Sequence, residues 1–248
     1  MPSLSAFEGL QGRPFAFFLD SGMDPNKLGR FSFMGGDPFL VLRSHGHDIE
    51  LIWPDGRVER ETGAPFSVAG RLLEKYVLPP MEAPVPFCGG AVGYFSYDLC
   101  HFIERLPATA TDDLGLPECY LAFYDSVLAF DHLAGRAYAI STGLPETEAA
   151  PQRRRAQARL EELVARLTHL PPAPEMEGEP AALSPVNLRA NFTREGYLQA
   201  VQQARDYIIA GDIFQVNLPQ RFETDLPVPA RELYRRLRRV NPAPFAAY

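Results

Sequence analysis

Gln215 and Asn217 are the polar residues whose spacing is best suited to contacting a small molecule. They stand two residues apart in the run 213–218, which is rich in strand-forming residues, and side chains at that spacing project from the same face of a strand. The intervening apolar residues would pack on the opposite side. The pattern alone favours a structural role, in which the amides satisfy backbone groups at a sheet edge. Pro219, which has no N–H to donate to a ladder, supports an edge.

A helix is predicted immediately before this strand. Thr193 can accept hydrogen bonds from the free N–H groups of the first turn, and Glu195 is favourable near the positive end of the helix dipole. Gly211 can adopt the left-handed conformation that closes a helix C-terminus. The apolar residues that fall on one face are Tyr197, Val201, Ala204 and Ile208. The segment is therefore predicted to be a capped amphipathic helix.

Residues that could act as nucleophiles or metal ligands form no recognisable pattern. The three cysteines, Cys88, Cys100 and Cys119, are odd in number and far apart, which favours buried thiols over a disulfide framework or a zinc site. His45 and His47 flank a glycine, and this arrangement predicts a turn rather than a metal site. No Ser-His-Asp or Cys-His order is present. We therefore predict no catalytic residue and no metal ligand in this chain.

The charge distribution argues against a nucleic-acid-binding surface. The net charge is -7, and the arginine runs at 153–155 and 235–239 accompany apolar residues at helical spacing, which is typical of solvated helix faces.

There is no run of 18 apolar residues and no basic-then-apolar leader at Met1, while 46% hydrophobic content suffices for a large core. We expect a soluble, cytoplasmic protein that does not associate with membranes.

Two glycine-containing segments predict backbone features rather than ligand sites. The run from Gly89 to Gly93 lacks both the GxGxxG spacing and the P-loop lysine, so we expect a close approach to a neighbouring strand instead of a nucleotide site. The sequence Asp20-Ser21-Gly22 is typical of a turn.

Turn residues divide the chain into a β-rich first part and a shorter second part. In region 1–142, short apolar runs alternate with Gly, Pro and Asp, which predicts mainly antiparallel strands and one helix at about 68–76. A helix is predicted at 151–169, followed by an acidic, Pro-rich linker at 170–186. The second region, 187–248, would contain the helix and strand described above and a second short helix.

The segment around the predicted strand resembles a known enzyme family. Residues 211–222, GDIFQVNLPQRF, followed by 241–245, NPAPF, are similar to the pattern that opens the chorismate-binding domain of aminodeoxychorismate synthase component I. Anthranilate synthase component I is its close relative. Asn217 and Ala246 favour the aminodeoxychorismate branch, because anthranilate synthases more often carry Q-V-V-x-S and N-P-S-P-Y-M. Pro219 departs from the usual Ser or Thr.

Blocks in the amino-terminal half agree with this resemblance. Residues 18–22, FLDSG, and 29–35, GRFSFMG, are similar to the family's first strands, and 89–99, GGAVGYFSYDL, resembles its G-G-x-x-G-Y-[FL]-x-Y-D block. The fold that the resemblance implies is α+β, with mainly antiparallel β-sheets packed as a sandwich and helices outside. The match also implies a truncated chain, with an incomplete chorismate-binding domain.

The resemblance implies a chorismate-converting parent enzyme. The branch favoured above makes 4-amino-4-deoxychorismate for 4-aminobenzoate and folate biosynthesis, with ammonia from a glutamine amidotransferase subunit. The alternatives are anthranilate synthase component I, in tryptophan biosynthesis, and a non-catalytic fragment that binds a ligand or docks the amidotransferase. In the family the Mg²⁺ ligands and catalytic residues follow the position of Tyr248, so we expect the fragment to be inactive.

The resemblance also implies a pocket for tryptophan or a similar ligand. The matching positions are Ser21, Pro244, Phe245 and Ala246, with Gln215 and Asn217 as further candidates for its lining. A serine hydroxyl can hold an amino-acid head group, and proline and phenylalanine offer an apolar wall to an indole. The N-P-x-P sequence is equally consistent with a rigid, extended entry to a strand.

Overall fold

The computed structural model of the chain describes residues 2–10, 12–80, 82–109, 111–168 and 187–248. The chain forms two compact units, one comprising Met1–Pro174 with Leu237–Tyr248 and the other Glu175–Arg236. The predicted linker at 170–186 lies outside the described residues.

The elements follow one another in a β-rich order. In chain order they are α1 (Ser3–Glu8), β1 (Phe17–Asp20), β2 (Phe31–Gly35), β3 (Leu40–His45), β4 (Asp48–Ile52), β5 (Val58–Thr62), α2 (Pro65–Lys75), β6 (Gly90–Phe95), a 3-10 helix (Tyr97–Phe102), β7 (Cys119–Tyr124), β8 (Ser126–Asp131), β9 (Arg136–Ser141), α3 (Ala149–Thr168), β10 (Arg189–Ala190), α4 (Arg194–Ala210), β11 (Phe222–Glu223), α5 (Ala230–Val240) and β12 (Ala246–Ala247).

Two five-stranded antiparallel sheets form the first unit. The first sheet has the strand order β12-β1-β2-β8-β9 and the second has the order β5-β4-β3-β7-β6. In the first sheet β12 pairs with β1 in a register that places Asp20 opposite Ala246. The prediction of an α+β fold with mainly antiparallel sheets and outer helices is confirmed.

Phe17 and Phe18 on β1 show how both faces of the first sheet are covered. Successive side chains of a strand point to opposite faces. Phe17 packs with Ala122 and Tyr124 of the second sheet, and the rings of Phe17 and Tyr124 have centroids 4.6 Å apart. Phe18 instead stacks on Phe7 of α1, with centroids 5.0 Å apart. The two sheets therefore pack face to face, and a helix covers the outer face.

The outer face of the second sheet is covered by α2. Val68, Ala69 and Leu72 are buried at the spacing of one helix face, and they pack into a cluster that includes Leu42 and Ile49 of the sheet. The helix predicted at about 68–76 is confirmed. It begins earlier, at a proline in the first turn, where the missing N–H has no cost.

The helix predicted at 151–169 is α3, which packs against β8 and β9 of the first sheet and forms ion pairs with Asp125, the residue between β7 and β8. Leu163 is the buried apolar residue of α3. The fully buried carboxylate of Asp125 accepts hydrogen bonds from Arg155 Nε at 2.9 Å and from Arg159 Nε at 3.3 Å. Two guanidinium groups thus compensate a carboxylate that has lost its water.

The glycine run at 89–93 has the backbone role that the sequence predicts. A Cβ on Gly93 would lie 1.8 Å from the carbonyl oxygen of Tyr120 on the neighbouring strand, so only glycine allows this approach. The turn predicted at Gly46 is also confirmed, with φ of 55° between β3 and β4.

The turn predicted at Asp20-Ser21-Gly22 is wrong. Asp20 is the last residue of β1, and the turn comes later, at 25–28. The Gly22 N–H donates to the carbonyl of Ala243 at 2.8 Å. The polar groups at 20–22 therefore bond to distant segments rather than folding back on their own backbone.

The second unit confirms the predicted helix but not the strand after it. Thr193 Oγ1 accepts a hydrogen bond from Gly196 N at 3.1 Å, and Gly211 closes α4 with φ of 84°. No strand forms at 213–218 among the residues that the structure describes, and Phe214 is fully exposed. A strand needs a partner for its backbone groups. In this unit the pairing is made by β10 and β11 instead.

Candidate functional site

A cavity of about 440 Å³ lies beside the C-terminal end of β1 in the first unit. Its polar lining includes Ser21, Asp131, His132, Arg136 and Arg238, and its apolar lining includes Met23, Pro25, Phe130 and Ala137. Small-molecule sites have volumes of about 300–1,000 Å³ and combine apolar walls with a few polar groups. The cavity therefore has the size and the lining of a small-molecule site.

Ser21 contributes a hydroxyl that is already engaged. Its Oγ lies 2.7 Å from the carbonyl oxygen of Phe31 and 2.9 Å from that of Pro244. A hydroxyl has one proton, so it donates to one carbonyl at a time and retains its lone pairs as acceptors. Ser21 can therefore accept a hydrogen bond from a ligand but has no free proton to donate.

A buried ion pair lies beneath Ser21. The side chain of Asp20 is fully buried and is paired with the guanidinium of Arg238 from α5, whose side chain is 26% exposed. Asp20 Oδ1 also lies 3.3 Å from Ser32 Oγ. Because a buried carboxylate without a partner is costly, this ion pair fixes the chain around Arg238 to the end of β1.

Ser32 connects the ion pair to His132. His132 Nε2 lies 2.7 Å from Ser32 Oγ, which also accepts a hydrogen bond from Ser21 N at 2.9 Å. Burial is the largest influence on the pKa of His132 and lowers it, whereas the charge of Asp20 raises it. The network therefore places a titratable ring in the cavity wall.

The neighbouring carboxylate, Asp131, is held in its charged form. Arg30 Nη2 donates to Asp131 Oδ2 at 2.7 Å, and the N–H of Ala134 donates to Oδ1 at 2.9 Å. The hydrogen bond from Arg30 is the first cause that lowers the pKa of Asp131 to about 2. Asp131 is therefore ionised throughout the physiological range.

The structure brings only part of the predicted pocket together. Ser21 contacts the main chain of Pro244, and Ala246 pairs with Asp20 across β12 and β1. Phe245 is 73% exposed and does not line the cavity. In the second unit Gln215 and Asn217 are both exposed and lie outside any strand. The apolar wall of the cavity comes instead from residues such as Phe130.

Sequence reasoning missed Asp20, Ser32, His132 and Arg238 as members of one network. The available signal was strand alternation, since Asp20 follows the buried Phe18 by two residues and Ser32 precedes the buried Met34 by two. Polar residues on a buried face need partners, which in this case come from distant segments.

In the part of the chain that the structure describes, no group of three His, Cys, Asp or Glu side chains could hold a metal ion. Cys119 is buried, Cys88 and Cys100 are partly buried, and all three are free thiols. Within the same residues, none of the helices has the length and apolar character needed to span a bilayer.

Comparison with known proteins gives a consistent result. The family profile described as chorismate binding enzyme matches residues 45–248. Anthranilate synthase component 1 of Pseudomonas aeruginosa is 36% identical over 246 residues, covering 98% of this chain and 50% of that protein. The protein of the same name from Thermus thermophilus is 41% identical over 238 residues, covering 95% of this chain and 47% of its own length.

A solved structure agrees with the sequence relatives. The crystal structure of anthranilate synthase component I from Streptococcus pneumoniae superposes with a TM-score of 0.66 at 27% identity, covering 86% of this chain and 46% of that one. The chain thus spans about half the length of the curated relatives described above.

Proposed function

Because the chain belongs to the chorismate-binding enzyme family and corresponds to the amino-terminal portion of component I relatives, we propose that its parent protein is anthranilate synthase component I. The observation that carries this proposal is the match over nearly the whole chain to proteins that are named anthranilate synthase component 1. In the proposed reaction, chorismate and ammonia give anthranilate, pyruvate and water.

Aminodeoxychorismate synthase component I is the second candidate. Asn217 and Ala246 favour it, because anthranilate synthases more often carry Q-V-V-x-S and N-P-S-P-Y-M at these two segments. Asn217 is exposed and outside any strand, so its identity has little structural weight in choosing the branch. We therefore base the choice of branch on the relatives named anthranilate synthase component 1 and not on the two motif residues. Aminodeoxychorismate synthase becomes the alternative.

The proposed partner is a glutamine amidotransferase subunit that supplies ammonia, and the proposed cofactor is Mg²⁺. The resemblance implies that the magnesium ligands follow the position of Tyr248. When bound, Mg²⁺ would neutralise the chorismate carboxylate and orient the ring. We assign no residue of this chain to that role.

We further propose that the cavity beside Ser21 binds tryptophan or a similar carboxylate-bearing ligand. Support comes from its volume of about 440 Å³, the apolar wall that includes Phe130, and the cations Arg136 and Arg238 in its lining. Ser21 would act as an acceptor for the ligand ammonium, because its proton is used by main-chain carbonyls. Phe245 has no part in this revised pocket.

The test of the proposed reaction is an assay of the complete parent enzyme with chorismate and ammonium ions. Formation of anthranilate, detected by its fluorescence, is the expected result. If the product becomes an aromatic amine only after a lyase is added, and that amine is 4-aminobenzoate, the enzyme belongs to the alternative branch. This assay does not depend on the Ser21 cavity.

A further inference from the structure

Ser32 is the residue on which the network around Asp20 depends. Its hydroxyl has one proton to donate and two lone pairs to accept, and its Oγ has three neighbours. Ser21 N–H must donate to it, at 2.9 Å, and the carboxylate of Asp20, at 3.3 Å, can only accept. His132 Nε2, at 2.7 Å, can do either. The state of His132 therefore decides where the Ser32 proton goes.

Only one of the two proton arrangements satisfies every group. If Nε2 carries no proton, Ser32 donates to His132, and its oxygen faces the carboxylate of Asp20 without a proton between them. If Nε2 carries a proton, Ser32 accepts from both Ser21 and His132 and donates to Asp20. The second arrangement leaves no buried acceptor facing another, so hydrogen-bond accounting favours it.

A protonated Nε2 leaves Nδ1 as the atom that titrates. Among the residues that the structure describes, Nδ1 has no hydrogen-bond partner, and His132 lines the cavity. Neutral His132 would offer an acceptor at this atom, and protonated His132 would offer a donor with a positive charge. A carboxylate in the cavity would favour the protonated form.

The charged groups around His132 come from five segments. They are Asp20 on β1, Arg30 before β2, Asp131 on β8, Arg136 on β9 and Arg238 on α5. Asp20 is paired with Arg238, and Asp131 is paired with Arg30. The two carboxylates are thus compensated, and Arg136 adds a positive charge to the cavity lining. An anionic ligand fits this balance better than a cationic one.

We propose that His132, held through Ser32 to the Asp20–Arg238 ion pair, is a proton switch that couples the binding of a ligand carboxylate in the Ser21 cavity to the uptake of a proton at Nδ1. The inference rests on the proposal that this cavity binds a small carboxylate. The carboxylate would come from an amino acid or from chorismate, and the two sources are separated by the test.

The direction of the pH dependence follows from the free and bound states. Burial keeps the pKa of His132 below its ordinary value in the free protein, and a ligand carboxylate raises it. Affinity should therefore increase as the pH falls through the bound-state pKa and level off below the free-state value. Each pKa unit between the free-state and bound-state values of His132 corresponds to about a tenfold change in affinity.

The experiment is calorimetric titration of the full 248-residue chain with L-tryptophan, and separately with chorismate, at pH 6.0 in two buffers of different ionisation enthalpy. The expected result is proton uptake on binding of one of the two ligands and tighter binding at pH 6.0 than at pH 8.0. His132→Gln should abolish the uptake, because its amide can still donate to Ser32 but cannot titrate.

Two serine variants provide the matched comparison. Ser32→Ala should reduce the uptake, whereas Ser44→Ala, which removes an equally buried hydroxyl in the second sheet, should leave it unchanged. Circular dichroism shows whether each variant is folded. Binding without proton uptake, or uptake that persists in His132→Gln, overturns the switch and leaves the cavity proposal standing. If neither ligand binds at pH 6.0 or at pH 8.0, both the switch and the cavity proposal are overturned.

Discussion

Arg238 on α5 pairs with the buried carboxylate of Asp20 on β1, although 218 positions separate the two residues in the sequence. Ser21 and Gly22 add hydrogen bonds to the main chain of Pro244 and Ala243 within the same short stretch. The end of β1 therefore holds the segment from Arg238 onward by charge, by hydrogen bonds and by pairing with β12.

Breaking this ion pair should destabilise the chain strongly. Arg238→Met removes the guanidinium that pairs with the buried carboxylate of Asp20, and we expect the free energy of unfolding in urea to fall by about 3–5 kcal/mol. The double variant Asp20→Asn, Arg238→Met should recover part of this loss, because it leaves no buried charge. Arg60→Met is the control, since Arg60 pairs on the surface and should change stability by about 1 kcal/mol or less. A loss for Arg238→Met no larger than that of the control would contradict the account.

Gly93→Ala and Gly70→Ala should have effects of opposite sign. The new methyl group at Gly93 would collide with the carbonyl of Tyr120, so the alanine variant should lose about 2 kcal/mol or more by thermal or urea unfolding. Gly70 lies inside α2, and a Cβ added there would meet no atom within 4 Å, so alanine should stabilise the helix by about 0.5–1 kcal/mol. Equal effects at the two positions would show that the close strand approach has been misassigned.

Acid unfolding should depend on Arg30. The folded-state pKa of Asp131 is lowered to about 2, so its contribution to stability is complete above the ordinary value of 3.8 and is lost as the pH falls toward 2. Arg30→Gln should reduce this contribution and move the acid-unfolding midpoint to higher pH, as followed by circular dichroism. Arg71→Gln, which alters an exposed pair with Glu61, should leave the midpoint in place. An unshifted midpoint in Arg30→Gln would be evidence against the role given to Arg30.

The 248-residue chain by itself should not convert chorismate. It covers about half of its relatives' length, and the family resemblance implies that the Mg²⁺ ligands and the catalytic residues follow the position of Tyr248. We expect neither anthranilate nor 4-aminobenzoate after incubation with chorismate, ammonium and Mg²⁺, even with a lyase present. The complete parent enzyme serves as the positive control. Turnover by the chain alone would contradict this prediction, because it would require catalytic groups within these 248 residues.

Features set by local sequence were predictable. The caps of α4 at Thr193 and Gly211 are formed within a few residues of the helix ends, and the buried stripe of α2 follows from helical spacing. The close approach of Gly93 to the neighbouring strand was also predictable, because the GGAVG run lacks the spacing and the lysine of a phosphate-binding loop.

Features that need a distant partner were not predictable. The run 213–218 has the composition of a strand, but no described residue pairs with it, and Phe214 remains exposed. The network of Asp20, Ser32 and Arg238 assembles from three separate segments. Strand alternation can place Asp20 and Ser32 on a buried face, but it does not indicate which partners they meet. The contact between Ser21 and Pro244 was predicted only through the family resemblance. Phe245, which was predicted to line the same pocket, does not line the cavity.

The ratio of pyruvate to aromatic amine that the complete parent enzyme releases from chorismate and ammonium, without added lyase, distinguishes anthranilate synthase from aminodeoxychorismate synthase. Anthranilate formation eliminates one pyruvate for each amine, so we predict equal amounts of pyruvate and anthranilate. Consumption of chorismate with incorporation of ammonia and no release of pyruvate would contradict this prediction, because that result identifies 4-amino-4-deoxychorismate as the product.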